Sequence, residues 1–420
     1  MNTAFLRIRA LAPACAIALV LVITGRPAPA QGAAAPRATP PAAPAPARAP
    51  APAPAEAPPD APLDQAAAIK DAGTLTPEKY PDADVILVAK HQRTTYAADG
   101  SHVVLDDEYL KVLTEAGRTS TRERAMGFNV DYGGLELLAV EVIRPDGTVV
   151  SLDPAAVSEE QVDRSGMDMN IYDPSNRILS IAVPGLEVGD VLHLYARSWE
   201  SRPRMKDAFA DVCLLELPYP IRKVTYEYVC PKDRPLRSKA LLSEVKGTVT
   251  ASERAEGDAI VCTWTGTDIP QLFPESMMPE LDTVAQRLRV STVADWREVS
   301  RWYWNLTAPH LQAVTPAMKA KAAELADGLR TDDERIRAIF RFVSQQVRYM
   351  GITTETEAPG YEPHDVNITF ENRYGVCRDK AALLVSLLSA AGIRAFPVLV
   401  NAGDRLDPEV PSCFFDHAIT

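Results

Sequence analysis

Asn372-Arg373-Tyr374-Gly375-Val376-Cys377-Arg378-Asp379-Lys380-Ala381-Ala382-Leu383-Leu384 is the stretch from which the fold reads outward. Leu383, Leu384, Leu387, Leu388 and Ala391 recur at helical spacing, and Gly392 suits a left-handed stop. The spacing predicts a helix from about Cys377 to Ala391. Its first turn carries the thiol, where unpaired N–H groups and the helix dipole favour an anion, and the thiolate is the reactive form of cysteine. Gly375, two residues earlier, is expected to let the backbone turn tightly and bring Cys377 into a cleft.

A cysteine nucleophile needs a base beside it and donors for the oxyanion it creates. Phe414-Phe415-Asp416-His417-Ala418-Ile419 supplies a histidine at the start of a predicted strand. One apolar strand, Ala395 to Val400, and a loop rich in Gly, Asp and Pro lie between helix and histidine. A helix followed by two strands can fold back so that the helix start meets the last strand. Cys377 and His417 are therefore the candidate nucleophile and base, and the backbone N–H of Cys377 is a candidate oxyanion donor.

Upstream, the period changes twice. From residue 290 it is helical: Asp295 with Glu298, and Thr331 with Glu334, have the form of capping boxes, and Thr315-Pro316 marks a third helix start. Ile336, Ile339, Phe340, Val343 and Val347 form a stripe read as core. From 80 to about 270 the chain reads as all-β. Asp84 to Ala89, Val103 to Val112, Leu137 to Ile143 and Val191 to Ala196 are short Val/Ile/Leu runs separated by Asp-Gly and Pro-Gly turns, and Lys223 to Val229 alternates as a half-buried strand. Their spacing predicts a sandwich. Ser158 to Ser175 is polar and aperiodic and is predicted to be a long loop, and a short helix is expected over Asp64 to Ala72.

The N-terminus accounts for much of the high count of 35 prolines. Arg7 and Arg9, the apolar run Ala10 to Ile23 and the small residues of Ala28-Pro29-Ala30 read as a signal peptide over 1–30. The apolar run is shorter than the roughly 20 residues of a spanning helix, so export with cleavage and no remaining transmembrane span is expected. Residues 31–63 are an Ala/Pro-rich disordered linker; in extended polyproline form, thirty such residues reach about 90 Å. Beyond it, residues 64–285 are assigned to the sandwich-like unit and 290–420 to the unit holding Cys377 and His417.

Charge excludes one class of partner. The formal charge of −12 becomes −15 without residues 1–30, which carry Arg7, Arg9 and Arg26 and no acid. With no basic patch, nucleic acid is not expected as a partner. There is no glycine-rich phosphate loop, no Cys-x-x-Cys pair and no acidic loop with calcium spacing, so neither cofactor nor metal is expected. The mature chain keeps five cysteines, Cys213, Cys230, Cys262, Cys377 and Cys413; an odd number leaves at least one thiol free in a monomer. Cys413 lies four residues before His417, a placement compatible with a Cys377–Cys413 redox lock if the two elements meet. His364-Asp365 lacks the partner cluster a metal site needs and reads as a loop position, Trp296, Trp302 and Trp304 are read as helix packing over a sugar groove, and Asp379 and Lys380 are given no catalytic role.

The run Asn-Arg-Tyr-Gly-x-Cys-Arg-Asp-Lys-Ala with Leu-Leu following, the strand Ala-Gly-Ile-Arg-Ala-Phe-Pro-Val-Leu-Val and the later Asp-His-Ala-Ile resemble the bacterial branch of the transglutaminase-like superfamily over residues 315–420. The β-rich part, with Val183-Pro184-Gly185-Leu186-Glu187-Val188-Gly189-Asp190-Val191, resembles an uncharacterised all-β domain found before such domains in exported bacterial proteins. The resemblance implies an α+β chain: a sandwich-like domain, then a transglutaminase-like, papain-like α+β domain. It implies Cys377 as nucleophile and His417 as base in a Cys-His-Asp triad. The orienting acid would stand on a following strand; Asp416 points to the opposite face from His417, so the third member is not in this chain and the domain reads as truncated after Thr420. Val376 departs from the family, which often has an acid there. The implied activity is acyl transfer on amide bonds, by hydrolysis or transfer, on a protein or peptide substrate of the cell envelope, in the periplasm or outside the cell. The competing expectation is a binding or scaffold protein with a degenerate catalytic domain.

Overall fold

The computed structural model describes residues 9–10, 63–352, 360–401 and 406–420. The expected signal peptide and linker lie outside these, save for Leu63 and for Arg9–Ala10, which pairs in parallel with Glu123–Asn129. Among the described residues no helix is long and apolar enough to cross a membrane.

The chain is α+β. Its first large element is an eight-stranded sheet in the order Val249–Glu256, Ala259–Ile269, Ile221–Pro231, Val85–Tyr96, His102–Val112, Val191–Glu200, Gly133–Ile143, Val149–Leu152. All neighbours are antiparallel except Ile221–Pro231 beside Val85–Tyr96. Alternation along Val85–Tyr96 sorts its two faces. Val85 and Leu87 pack with Cys213, Leu288 and Val290 of a three-stranded sheet, Ala210–Leu214, Arg287–Ser291 and Ser238–Leu242, and with Leu215 just beyond it. Ile86 and Val88 face the other way, onto Ala68 and Ala72 of the helix Gln65–Gly73. That helix starts where expected, with the Asp64 carboxylate accepting from the N–H groups of Ala66 and Ala67. Farther along the sheet, Leu192, Leu194 and Ala196 pack on Ile181, Met126 and Leu179 of a further small sheet. Full burial of one such Leu or Ile stabilises by about 1.5–3 kcal/mol, so the sheet faces dominate this part of the fold.

Two sequence expectations change here. Ser158 to Ser175 is not all loop: Ser158–Val162 pairs with Asn176–Ala182, and Met167–Met169 forms a 3-10 turn. Both faces of Ser158–Val162 are largely solvated, so no hydrophobic alternation marks it. The β-rich region also continues past 285, because Arg287–Ser291 is the central strand of the three-stranded sheet.

The remaining elements are mainly helical. Trp296–Leu311, Pro316–Ala326 and Asp332–Gln346 begin at Asp295, Thr315 and Thr331, whose side chains accept from the third helical N–H. Their apolar faces, with Val366–Asn372, surround the helix Cys377–Ala390. This central helix buries Ala382, Leu383, Leu387 and Leu388, and Gly392 ends it at φ +81°. In Asp332–Gln346 the core stripe is Ile339, Phe342 and Val343, while Ile336 and Phe340 are exposed. Ile336 and Phe340 fall on one flank of the arc through 339, 342 and 343, a rotation that the 3.6-residue period leaves open.

Candidate active site

Cys377 is the first residue of the central helix and is half-buried, while the turns behind it are fully packed. The N-terminus of this helix is capped from within. The Asp379 carboxylate, 3% exposed, accepts from the backbone N–H of Val376 and of His364, both at 3.0 Å, and lies 3.0 Å from His364 Nδ1. Burial alone would raise this carboxyl; the His364 hydrogen bond and the Arg378 guanidinium more than offset it and hold it below its ordinary value. Lys380 Nζ donates to the Val347 carbonyl at 2.6 Å and ties the same turn to the end of the helix Asp332–Gln346.

Gly375 is required for a reason other than a turn. A Cβ there would meet Asp379 Cβ at 2.6 Å and Thr369 Cγ2 at 3.1 Å, so its bareness admits the capping carboxylate. The pair Tyr374–Gly375 lies parallel to Arg348–Tyr349, with Tyr349 opposite Gly375. This short ladder holds Tyr349 close enough to Cys377 for the thiol to act on its hydroxyl. Burial first, and the neighbouring thiol second, push the Tyr349 hydroxyl well above the ordinary tyrosine range, so it stays a protonated donor.

His417 begins the strand His417–Ile419, which pairs antiparallel with Val398–Val400 and packs on the central helix. Thr420 Oγ1 donates to the Ala381 carbonyl at 3.1 Å, one turn in from Cys377. The expected strand from Ala395 is shorter because Pro397 lacks the N–H that a ladder needs. The structure thus brings the two elements together, and no Cys377–His417 hydrogen bond is present among the described residues.

The approach to His417 is held firmly. Tyr361 Oη donates to the Phe415 carbonyl at 2.9 Å and accepts from the Phe415 N–H at 3.1 Å. Trp296 Nε1 donates to the Pro408 carbonyl at 2.8 Å and its ring meets Phe415 edge-on. Asp407, 5% exposed, sits between Arg287 and Arg289, so the β-rich region anchors the loop that leads to the histidine. Trp302 packs edge-on against Tyr361, while Trp304 is exposed beside Phe396.

A cleft of about 470 Å³ borders this helix start, lined among others by His310, Met350, His364, Asp365, Gly375 and Asp379. His310 bridges Asp365 and Glu362, each at 2.8 Å, and these bonds raise its pKa against the lowering effect of burial. His364 Nε2 is buried without a hydrogen-bond partner. His364 and Asp379 therefore work as a pair that a loop reading of His364-Asp365 does not disclose, because the carboxylate partner is fifteen residues away. Tyr349 was missed as well, since two-residue strands leave no periodic signal.

Two family models match the chain. Residues 98–273 match a domain of unknown function, DUF3857, and residues 319–413 match the transglutaminase-like superfamily. No curated protein matches. Among solved structures, a protein from Parabacteroides distasonis named "putative protease" is similar with a TM-score of 0.65 and 20% identity; the match covers 80% of this chain and 64% of that one. A cellulosome scaffoldin module from Clostridium thermocellum (TM-score 0.18, 10% identity, 28% and 69% covered) is too distant to carry an argument. So is an M1 zinc metallopeptidase from Deinococcus radiodurans (TM-score 0.25, 9% identity, 50% and 42% covered). The fold and both matches agree: the chain carries a DUF3857 domain followed by a transglutaminase-like domain.

Proposed function

We propose that the protein is an exported cysteine acyltransferase or amidase acting on the amide bonds of a protein or peptide. The supporting observation is the setting of Cys377: a half-buried thiol at the start of a packed helix, with Tyr349 nearby and the His417 strand packed on the same helix. His417 takes the thiol proton, Cys377 Sγ attacks the carbonyl carbon, and the oxyanion receives donors from the Cys377 N–H and Tyr349 Oη. The C–N bond breaks, the imidazolium returns its proton to the leaving nitrogen, and a thioester remains. Water or an amine then attacks the thioester and releases the thiolate. Export rests on the apolar run Ala10 to Ile23 and the small residues at 28–30.

The test is covalent labelling of the full chain near neutral pH, read by peptide mapping. Iodoacetamide should modify Cys377 faster than a model thiol, and an activated acyl ester should leave a thioester on Cys377 that is absent in Cys377→Ala. A Cys377 that accepts neither reagent would sink the enzymatic reading and favour a scaffold.

A further inference from the structure

Cys230 and Cys262 take no part in the chemistry above, yet the sheet brings them together. Cys230 lies near the end of Ile221–Pro231 and Cys262 in the antiparallel neighbour Ala259–Ile269. The register sets Tyr228 opposite Cys262 and Cys230 opposite Ile260. Residues two apart on a strand share a face, so the cysteines are diagonal neighbours on one side of the sheet. Their Sγ atoms are 4.0 Å apart, and the residues are 1% and 2% exposed. Lys239, from the separate strand Ser238–Leu242, places its ammonium 3.6 Å from Cys262 Sγ. Cys213 has a different fate: its thiol is bonded to Tyr228 and Asp211, and burial pushes it well up.

We propose that Cys230 and Cys262 are a modification site, joined in the oxidised protein by an intramolecular disulfide across the sheet. The sulfurs close from 4.0 Å to about 2 Å, through side-chain rotation with local adjustment of the two neighbouring strands. The oxidant is a disulfide of the glutathione or protein-dithiol class. The Cys230 thiolate attacks one sulfur of the oxidant and expels a thiolate. Cys262, its proton released to solvent, attacks the Cys230 sulfur of the mixed disulfide and expels the second. Two electrons pass to the oxidant, which leaves as two thiols after taking up two protons. The hydrogen bond between the two thiols first, then Tyr96 and the Lys239 ammonium, hold Cys230 below the ordinary thiol range against the effect of burial, which favours it as the attacking sulfur.

The bond would close a loop whose ends are 32 positions apart and which contains Ser238–Leu242 and Val249–Glu256. Fewer open conformations of the unfolded chain follow. The experiment equilibrates the folded full chain with glutathione disulfide, blocks free thiols under denaturant and maps tryptic peptides without reduction. The expected result is a cross-linked pair made of residues 224–232 and 255–287, with Cys377 alkylated. The oxidised protein should melt about 5–10 °C above the reduced one, and the Cys230→Ser/Cys262→Ser variant should show no such difference. Alkylation of both cysteines after equilibration, or a bridge from either to Cys213 or Cys413, overturns the proposal. Because the mapping is done on the unmodified chain, a variant that folds poorly leaves the test intact. It also stands whether or not Cys377 is catalytic.

Discussion

Two histidines in this protein lie against buried carboxylates, one in the eight-stranded sheet and one beside the central helix. His193 is closed: Nε2 is 2.9 Å from Asp107 Oδ1, Nδ1 is 2.9 Å from Glu141 Oε2, and its ring stacks on Tyr109. His364 is half closed, with Nδ1 on Asp379 and a buried Nε2 left without a partner. A satisfied buried network stabilises and fixes geometry, whereas an unsatisfied buried atom costs free energy. His193 spends both ring nitrogens on structure, whereas His364 keeps one unpaired beside the cleft. The same residue type paired with a buried carboxylate is thus fully used in one place and half used in the other.

The largest effect should come from breaking the shared carboxylate of the site. Asp379→Asn removes a buried charge that serves two backbone N–H groups and one imidazole, and is expected to cost about 3–5 kcal/mol in urea unfolding. The native carboxyl is held below its ordinary value, so its contribution is present above about pH 4 and is lost as pH falls through the lowered native pKa. The difference between wild type and Asp379→Asn should therefore shrink on acidification. A difference that grows toward low pH would show that the carboxylate is not the group at work.

Next in size is Tyr349→Phe, which removes the hydroxyl proposed as an oxyanion donor while leaving the ring in place. An oxyanion donor of this kind contributes about 10²-fold or more in turnover. Acyl transfer from an activated ester should fall by that order, with urea stability nearly unchanged. Equal turnover in both proteins would remove Tyr349 from the mechanism.

The sequence disclosed the central helix well and its surroundings poorly, for physical reasons. Cys377, the leucine stripe and Gly392 lie within one local element, and so do the caps at Asp295, Thr315 and Thr331; local periodicity and capping chemistry report them directly. The strand carrying His417 was legible through the family pattern, but the grip on it was not. Asp407 meets Arg287 and Arg289 across about 120 positions, and Tyr361 meets Phe415 across 54. Gly375 was singled out correctly and explained wrongly, because the atom it makes room for belongs to Asp379. Ser158–Val162 escaped because a strand solvated on both faces has no period to show.

His193→Gln sharpens the comparison from the closed side. Burial would lower this imidazole, but the hydrogen bonds from Asp107 and Glu141 more than offset that and raise its pKa above 6.5. A raised folded pKa means the stabilisation is complete below pH 6.5 and fades as pH rises through the native value. Glu141, held below 4.5, acts oppositely at the acid end. The loss on substitution should be about 2–3 kcal/mol near pH 6, since a charged hydrogen-bonded partner is removed from a buried carboxylate, and smaller near pH 9. A pH-independent loss would mean that packing against Tyr109, and not the charge, carries the effect.

The smallest effect on stability is expected from the open side. His364→Asn retains an N–H at the position of Nδ1, so the bond to Asp379 persists, and it deletes Nε2, which has no bond to lose. Removing a buried polar atom that lacks a partner is neutral or slightly favourable. Urea unfolding should therefore shift by less than about 0.5 kcal/mol, against 2–3 kcal/mol for His193→Gln. The acyl-transfer rate of His364→Asn is the complementary reading, because a group kept at a cost to stability is kept for what reaches it. A stability loss as large as that at His193 would mean that His364 is also closed in solution, and the contrast between the two histidines would fall.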